Sequence, residues 1–183
     1  MFICGARYDK VLDAFAVRSD ELDLVQYGSD DTKTHRKIKH ILGTKYHDKV
    51  GRLLVSELFT VGQGGWSGFP PHKHDTDDPP READLEEIYY FRYRDSNGYG
   101  FHRVYTQRRD DTLRVTHGDV VAVRDGFHPF VTAHGYDAYY LNVLAGERRS
   151  MAASDDPRYA HFRRKWPPPD SRLPLVPRPE GLK

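Results

Sequence analysis

The sequence predicts an all-β domain, a barrel or a sandwich. Short runs rich in Val, Ile, Tyr and Phe recur at close spacing, and Gly, Asp, Asn or Pro stands between them. Aromatic residues make up 13% of the chain, which suits a β-rich core. At 183 residues the chain is long enough for one domain with a real core.

Near the start, "VLDAFAVRS" (11–19) and "ELDLVQYGS" (21–29) read as two strands of modest alternation. The polar, basic "DDTKTHRKIKHILG" (30–43) reads as a solvated connector or short helix; the balanced net charge weighs against a phosphate-binding role. "RLLVSELFTV" (52–61) is a strand with Leu54, Ser56, Leu58 and Thr60 on one face. "GQGGWSGFPP" is glycine and proline punctuation. "LEEIYYFRY" (85–93), "GFHRVYT" (100–106), "DVVAVRD" (119–125), "PFVTA" (129–133) and "DAYYLNVL" (137–144) are further strands. After Gly146 the pattern changes. "SDDPRYAHFRRKW" predicts a short helix capped by Ser154, with Pro157 in its first turn and Tyr159, Phe162 and Trp166 packing on the barrel. "PPPDSRLPLVPRPEGLK" predicts an extended, Pro-rich tail strapped over the surface. The expected boundaries are 1–43, 44–150 and 151–183.

Composition narrows the function. A net charge of +1 gives no reason to expect a nucleic-acid partner. Mean hydropathy is −0.76, and no apolar run approaches the ~20 residues of a membrane helix. The start, "MFICGAR", has neither the basic region nor the long apolar core of a secretory signal. A lone cysteine, Cys4, excludes an internal disulfide framework, so a cytoplasmic protein is expected. No Gly-rich phosphate loop of either common type is present.

The chemistry concentrates in "PPHKHDTDDPPREADLEEIYYF". His72 and His74 share a face if the backbone is extended, and Lys73 points the other way. In the strand that follows, Glu87, Tyr89 and Phe91 share one face. An inward carboxylate among aromatic side chains needs a partner, and a metal is a good one. His128, just past the strand "DVVAV" and the turn Asp125-Gly126, can reach a barrel mouth. Three histidines and a glutamate form a nitrogen/oxygen donor set suited to Zn, Mn, Fe or Ni. Open coordination positions would suit the adjacent oxygens of a sugar.

His72-x-His74 with a later glutamate, then Gly118 and Gly126-x-His128, resembles the two metal motifs of the cupin superfamily. Twelve residues separate His74 from Glu87 where most cupins have few, and Arg124 stands where proline is usual. The long gap is a family feature. "GGWSGFPPHKHDTDDPPREADLEEIYYFR", "RVYT", "GDVVAV", "GFHP" and "HGYDAYYLNVLAG" closely resemble the 5-deoxy-glucuronate isomerase family of bacterial myo-inositol catabolism, from about Thr34 to about Pro177.

That resemblance implies a cupin β-barrel (double-stranded β-helix, or jelly roll) corresponding to the second half of a two-cupin protein, with residues 1–43 as the end of a first cupin and its connector. It implies the isomerisation of 5-deoxy-D-glucuronate to 5-dehydro-2-deoxy-D-gluconate through an enediolate. It implies a divalent metal on His72, His74, Glu87 and His128. A general base must move a proton from C2 to C1. Candidates are His134, His102, Tyr89 and Glu57, with His134 favoured because it ends a strand close to His128. Arg103 and Arg92, within strands, are candidates for the substrate carboxylate, with Tyr89 beside the ligand. The partner is a small sugar acid, and a homo-oligomer is expected because a barrel without its companion leaves apolar surface to cover. Two other readings use the same ligands: a cupin dioxygenase with Fe(II), and a non-catalytic, sugar-binding single cupin.

Overall fold

The computed structural model of the chain describes residues 1–168. Its strands are β1 (Leu24–Tyr27), β2 (Arg36–Leu42), β3 (Leu53–Thr60), β4 (Gly65–Ser67), β5 (His72–Lys73), β6 (Glu86–Tyr93), β7 (Tyr99–Tyr105), β8 (Asp110–Thr116), β9 (Val120–Val123), β10 (Phe130–Thr132), β11 (Ala138–Ala145) and β12 (Ser154–Asp155). They form a six-stranded sheet in the order β1-β2-β3-β11-β6-β9, a four-stranded sheet in the order β4-β10-β7-β8, and the pair β12-β5. All pairings are antiparallel.

Period-two alternation decides which side chains fill the barrel. On β6, Glu87, Tyr89, Phe91 and Tyr93 are buried, while Glu86, Ile88 and Arg92 are exposed. Register carries the rows across the sheet: Tyr89 lies opposite Asn142 of β11 and Val121 of β9, and Phe91 lies opposite Tyr140. The main core joins Phe91, Tyr89, Tyr140 and Phe130 to Val25, Ile38, Leu58, Val104 and Val123. Phe91 is fully buried, so truncating it to alanine would cost about 3–5 kcal/mol.

Several elements differ from the sequence reading. Residues 11–18 form no strand, and the second expected strand shortens to β1. The "connector" holds β2, which pairs with β3, so the larger sheet begins before residue 44. β8 went unread because its charged residues mark it as a turn; they instead blunt the edge of the four-stranded sheet. Ser154 starts no helix. With Asp155 it forms β12, paired with β5 beside His72, and the helical segment is a 3-10 stretch, Ala160–Lys165. Beyond Pro168 the expected Pro-rich tail lies outside the described residues. Among those residues, no helix is long and apolar enough to cross a membrane.

Candidate metal centre

The centre is assembled from three places in the chain. β5 presents His72, and the backbone continues extended to His74. β6 supplies Glu87 on its inward face. The turn after β9 supplies His128, and Gly126 makes that turn possible: its φ is +88°, and a Cβ there would lie 2.5 Å from the Tyr105 carbonyl oxygen. One nitrogen from each of the three histidines lies within 4.8 Å of the others.

The hydrogen bonds fix the tautomers. The Nδ1 of His72 lies 3.3 Å from the Pro70 carbonyl, that of His74 lies 3.1 Å from Leu85 O, and that of His128 lies 2.8 Å from Gly126 O. A carbonyl only accepts, so each Nδ1 carries a proton, which leaves Nε2 as the nitrogen of each ring that can offer a lone pair to a metal once its own proton is gone. Glu87 Oε2 lies 2.9 Å from His74 Nε2 and 3.1 Å from His128 Nε2. Among the described residues, the buried His128 Nε2 has no hydrogen-bond partner. Lone pairs facing a carboxylate repel unless a proton or a cation lies between them. Imidazoles oriented by backbone carbonyls and converging with a carboxylate are a donor set that fits a divalent transition metal, which would displace any proton held between them.

Electrostatics follow from this crowding. Burial pushes the His72 imidazole well below its usual range, and His128 and His74 push it further. Burial disfavours the charged forms of His74 and Glu87 as well. Their attraction outweighs it, raising His74 and, with His128, holding Glu87 well below the carboxylate range. Burial, then the Glu87 charge, drives the Tyr89 phenol well above 10. Asn142 Nδ2 donates to the other Glu87 oxygen, Oε1.

His102 lies beneath this cluster, fully buried, its ring 4.6 Å from that of Tyr89. Its Nε2–H donates to the His128 carbonyl at 3.1 Å, and among the described residues its Nδ1 has no partner. Burial pushes its pKa down to about 4.

The structure does not bring the other sequence candidates to the cluster. Arg92 is exposed, sent outward between Phe91 and Tyr93. Arg103 follows inward His102 and so faces out, where it pairs with Asp110 at 2.6 Å and lies over the Tyr105 ring. His134 is exposed in the turn after β10, and among the described residues no contact joins it to the histidines. Glu57, on the outer face of β3, accepts from the Tyr139 hydroxyl.

Sequence reasoning missed Asn142 and Arg36. A polar residue at an inward position of "AYYLNVL" was the signal for the first. For the second it was the alternation in "RKIKHIL", which puts Arg36 and Ile38 inside and Lys37 and Lys39 outside.

A family model described as the KduI/IolB family matches residues 1–162. A 5-deoxy-glucuronate isomerase of Listeria monocytogenes is 37% identical over 157 residues, 85% of this chain and 56% of that protein. The chain therefore spans about half the length of the curated relatives it matches. Among solved structures, an IolB-like protein from Salmonella typhimurium LT2 superposes with a TM-score of 0.71 at 35% identity, over 79% of this chain and 54% of that one. A cupin-2 domain from Rhodospirillum rubrum gives 0.51 at 13% identity, over 90% and 92% of the two chains, a likeness of fold alone. The barrel is a cupin barrel.

Proposed function

The chain belongs to the KduI/IolB family, and from that premise we propose that it is a metal-dependent aldose–ketose isomerase acting on a sugar acid. The substrate we assign is 5-deoxy-D-glucuronate and the product 5-dehydro-2-deoxy-D-gluconate, in keeping with the name of the Listeria relative. The observation that carries the reading is the convergence of one nitrogen from each of His72, His74 and His128 with the Glu87 carboxylate.

His72, His74, Glu87 and His128 would hold the ion, one of Zn, Mn, Fe or Ni. When bound, it supplies positive charge for the adjacent carbonyl and hydroxyl oxygens of an α-hydroxy aldehyde. The protein's task is to move a proton from C2 to C1 through an enediolate, with no net redox change. We assign the base to His102, whose proton-free Nδ1 follows from its Nε2–H bond to His128 O, in place of the exposed His134. Burial, then Glu87, keeps the Tyr89 phenol protonated, and we assign it to donate a hydrogen bond to a developing oxyanion.

The test is proton NMR of 5-deoxy-D-glucuronate in D₂O with the purified chain, with and without a chelator. Chelator-sensitive ketose formation, with deuterium in the new methylene group, is the expected result. His102→Gln should lose at least tenfold in turnover at unchanged metal content. No turnover from the metal-loaded chain would overturn the isomerase reading, and undiminished turnover in His102→Gln would remove that residue from it.

A further inference from the structure

Arg36 enters the barrel from β2 as a buried cation with no counter-ion among the described residues. It is 5% exposed. Its Nη1 donates to Ser67 Oγ at 2.9 Å, and its buried Nε has no hydrogen-bond partner among the described residues. Among the described residues, no carboxylate lies within ion-pair distance of it. The Tyr27 ring lies 5.0 Å from the guanidinium and Trp166 lies 6.0 Å away. Aromatic faces soften the loss of water but are not opposite charges. A buried, unpaired charge is among the costliest things a fold can keep. Glu87 does not balance it, because the histidines already engage both its charge and Oε2.

The surroundings connect this cation to the metal centre. Ser67 Oγ bonds the Tyr140 hydroxyl. The Tyr140 ring lies 5.1 Å from Tyr89, which stands on the same inward row of β6 as Glu87. Tyr140 and Tyr89 therefore stand in sequence between the Arg36–Ser67 pair and the inward row that carries Glu87. A ligand with an anionic group at one end and paired oxygens at the other would satisfy both ends at once.

We infer that Arg36 is the anchor for the substrate's carboxylate, the guanidinium fork binding the acid end of a sugar acid whose aldehyde end lies at the histidine cluster. This rests on the sugar-acid reading above, and it makes Arg36, in place of Arg92 or Arg103, the residue that selects uronic acids over neutral sugars. Ser67 is a positioning residue that fixes the fork.

The experiment compares D-glucuronate with D-glucuronamide, which differ in charge at C6 alone. Each is titrated by calorimetry into the zinc-loaded full chain, wild type and Arg36→Gln, with zinc content and circular dichroism measured in parallel. The wild type should bind glucuronate at least tenfold more tightly than the amide, and Arg36→Gln should erase that ratio with zinc content unchanged. If Arg36→Gln does not fold, Arg36→Lys decides: it should lose glucuronate affinity several-fold and leave the amide unaffected. A wild type that does not distinguish the two ligands overturns the inference, as does a variant that keeps the full ratio. Charge selection that depends on Arg36, without turnover of 5-deoxy-D-glucuronate, would leave the anchor standing and remove the isomerase. Turnover without such selection would do the reverse.

Discussion

In the proposed metal centre, His128 shows how one residue can be oriented for a cation before any is bound. Its Nδ1–H is fixed on the Gly126 carbonyl, its own carbonyl accepts from His102, and its Nε2 faces Glu87 without a donor between them. His72 and His74 repeat the pattern with Pro70 and Leu85. The inward parity of His72, His74 and Glu87 was legible in sequence because an extended backbone has a period of two. The parity of Arg92 and Arg103 was equally available: each sits next to an inward aromatic or histidine and so points out. What sequence could not supply was the tautomers, since backbone carbonyls set them. We expect His72→Ala with His74→Ala to reduce bound metal to background while the barrel stays folded, because half-buried His72 and buried His74 lie at the periphery of the main core. Metal analysis beside circular dichroism checks this, and full metal occupancy would sink the ligand assignment.

Between His74 and Glu87 the chain makes a long excursion that the sequence left unexplained, and Lys73 closes it. Pointing away from the cluster, its Nζ lies 2.6 Å from Asp75 Oδ1 and 2.7 Å from Glu82 Oε1. Asp75 Oδ2 then accepts the Gly126 N–H at 2.7 Å, so one carboxylate ties the His74 strand to the His128 turn. Burial raises the Asp75 pKa, but Lys73, the Gly126 N–H and Thr76 outweigh it and hold it at about 2, against an ordinary 3.8. A depressed carboxylate stabilises the fold above its unfolded pKa and loses that contribution as pH falls through the folded value. The metal-free protein should therefore lose about 2 kcal/mol from this group between pH ~4 and pH ~2. Asp75→Asn should lower stability at pH 7 by about 1–2 kcal/mol, flatten that acid limb and weaken metal binding through the misplaced His128 turn. Denaturant melts at pH 7 and pH 3 measure the first two effects. An unchanged acid limb would show that the clasp is not stabilising. At this scale the strongly alternating strands were readable, and β2 and β8 were not. β2 hides two inward residues among lysines, and β8 is an edge whose charges imitate a turn.

The molecule as a whole keeps apolar side chains on its outer faces. On the six-stranded sheet, Ile88 is 37% exposed and Val120 is 55% exposed, next to Tyr90, which Phe2 already covers at 5.4 Å between rings. Tyr99 and Phe101 stand exposed on the four-stranded sheet. Inward alternation explains the cores of these strands but gives no reason for apolar residues on the opposite face, where polar ones would serve a free surface better. The chain also covers 56% of the Listeria relative's length, so that relative has further chain available to lie against such a face. For this chain the occupant we expect is a second copy, packed across β6 and β9 about a two-fold axis. Light scattering at micromolar concentration should give about twice 21.2 kDa. Ile88→Lys with Val120→Lys should return the mass to one chain while keeping the bound metal, because both side chains point away from the site. A wild type that scatters as a clean monomer, or a double variant that stays associated, would reject the β6–β9 interface.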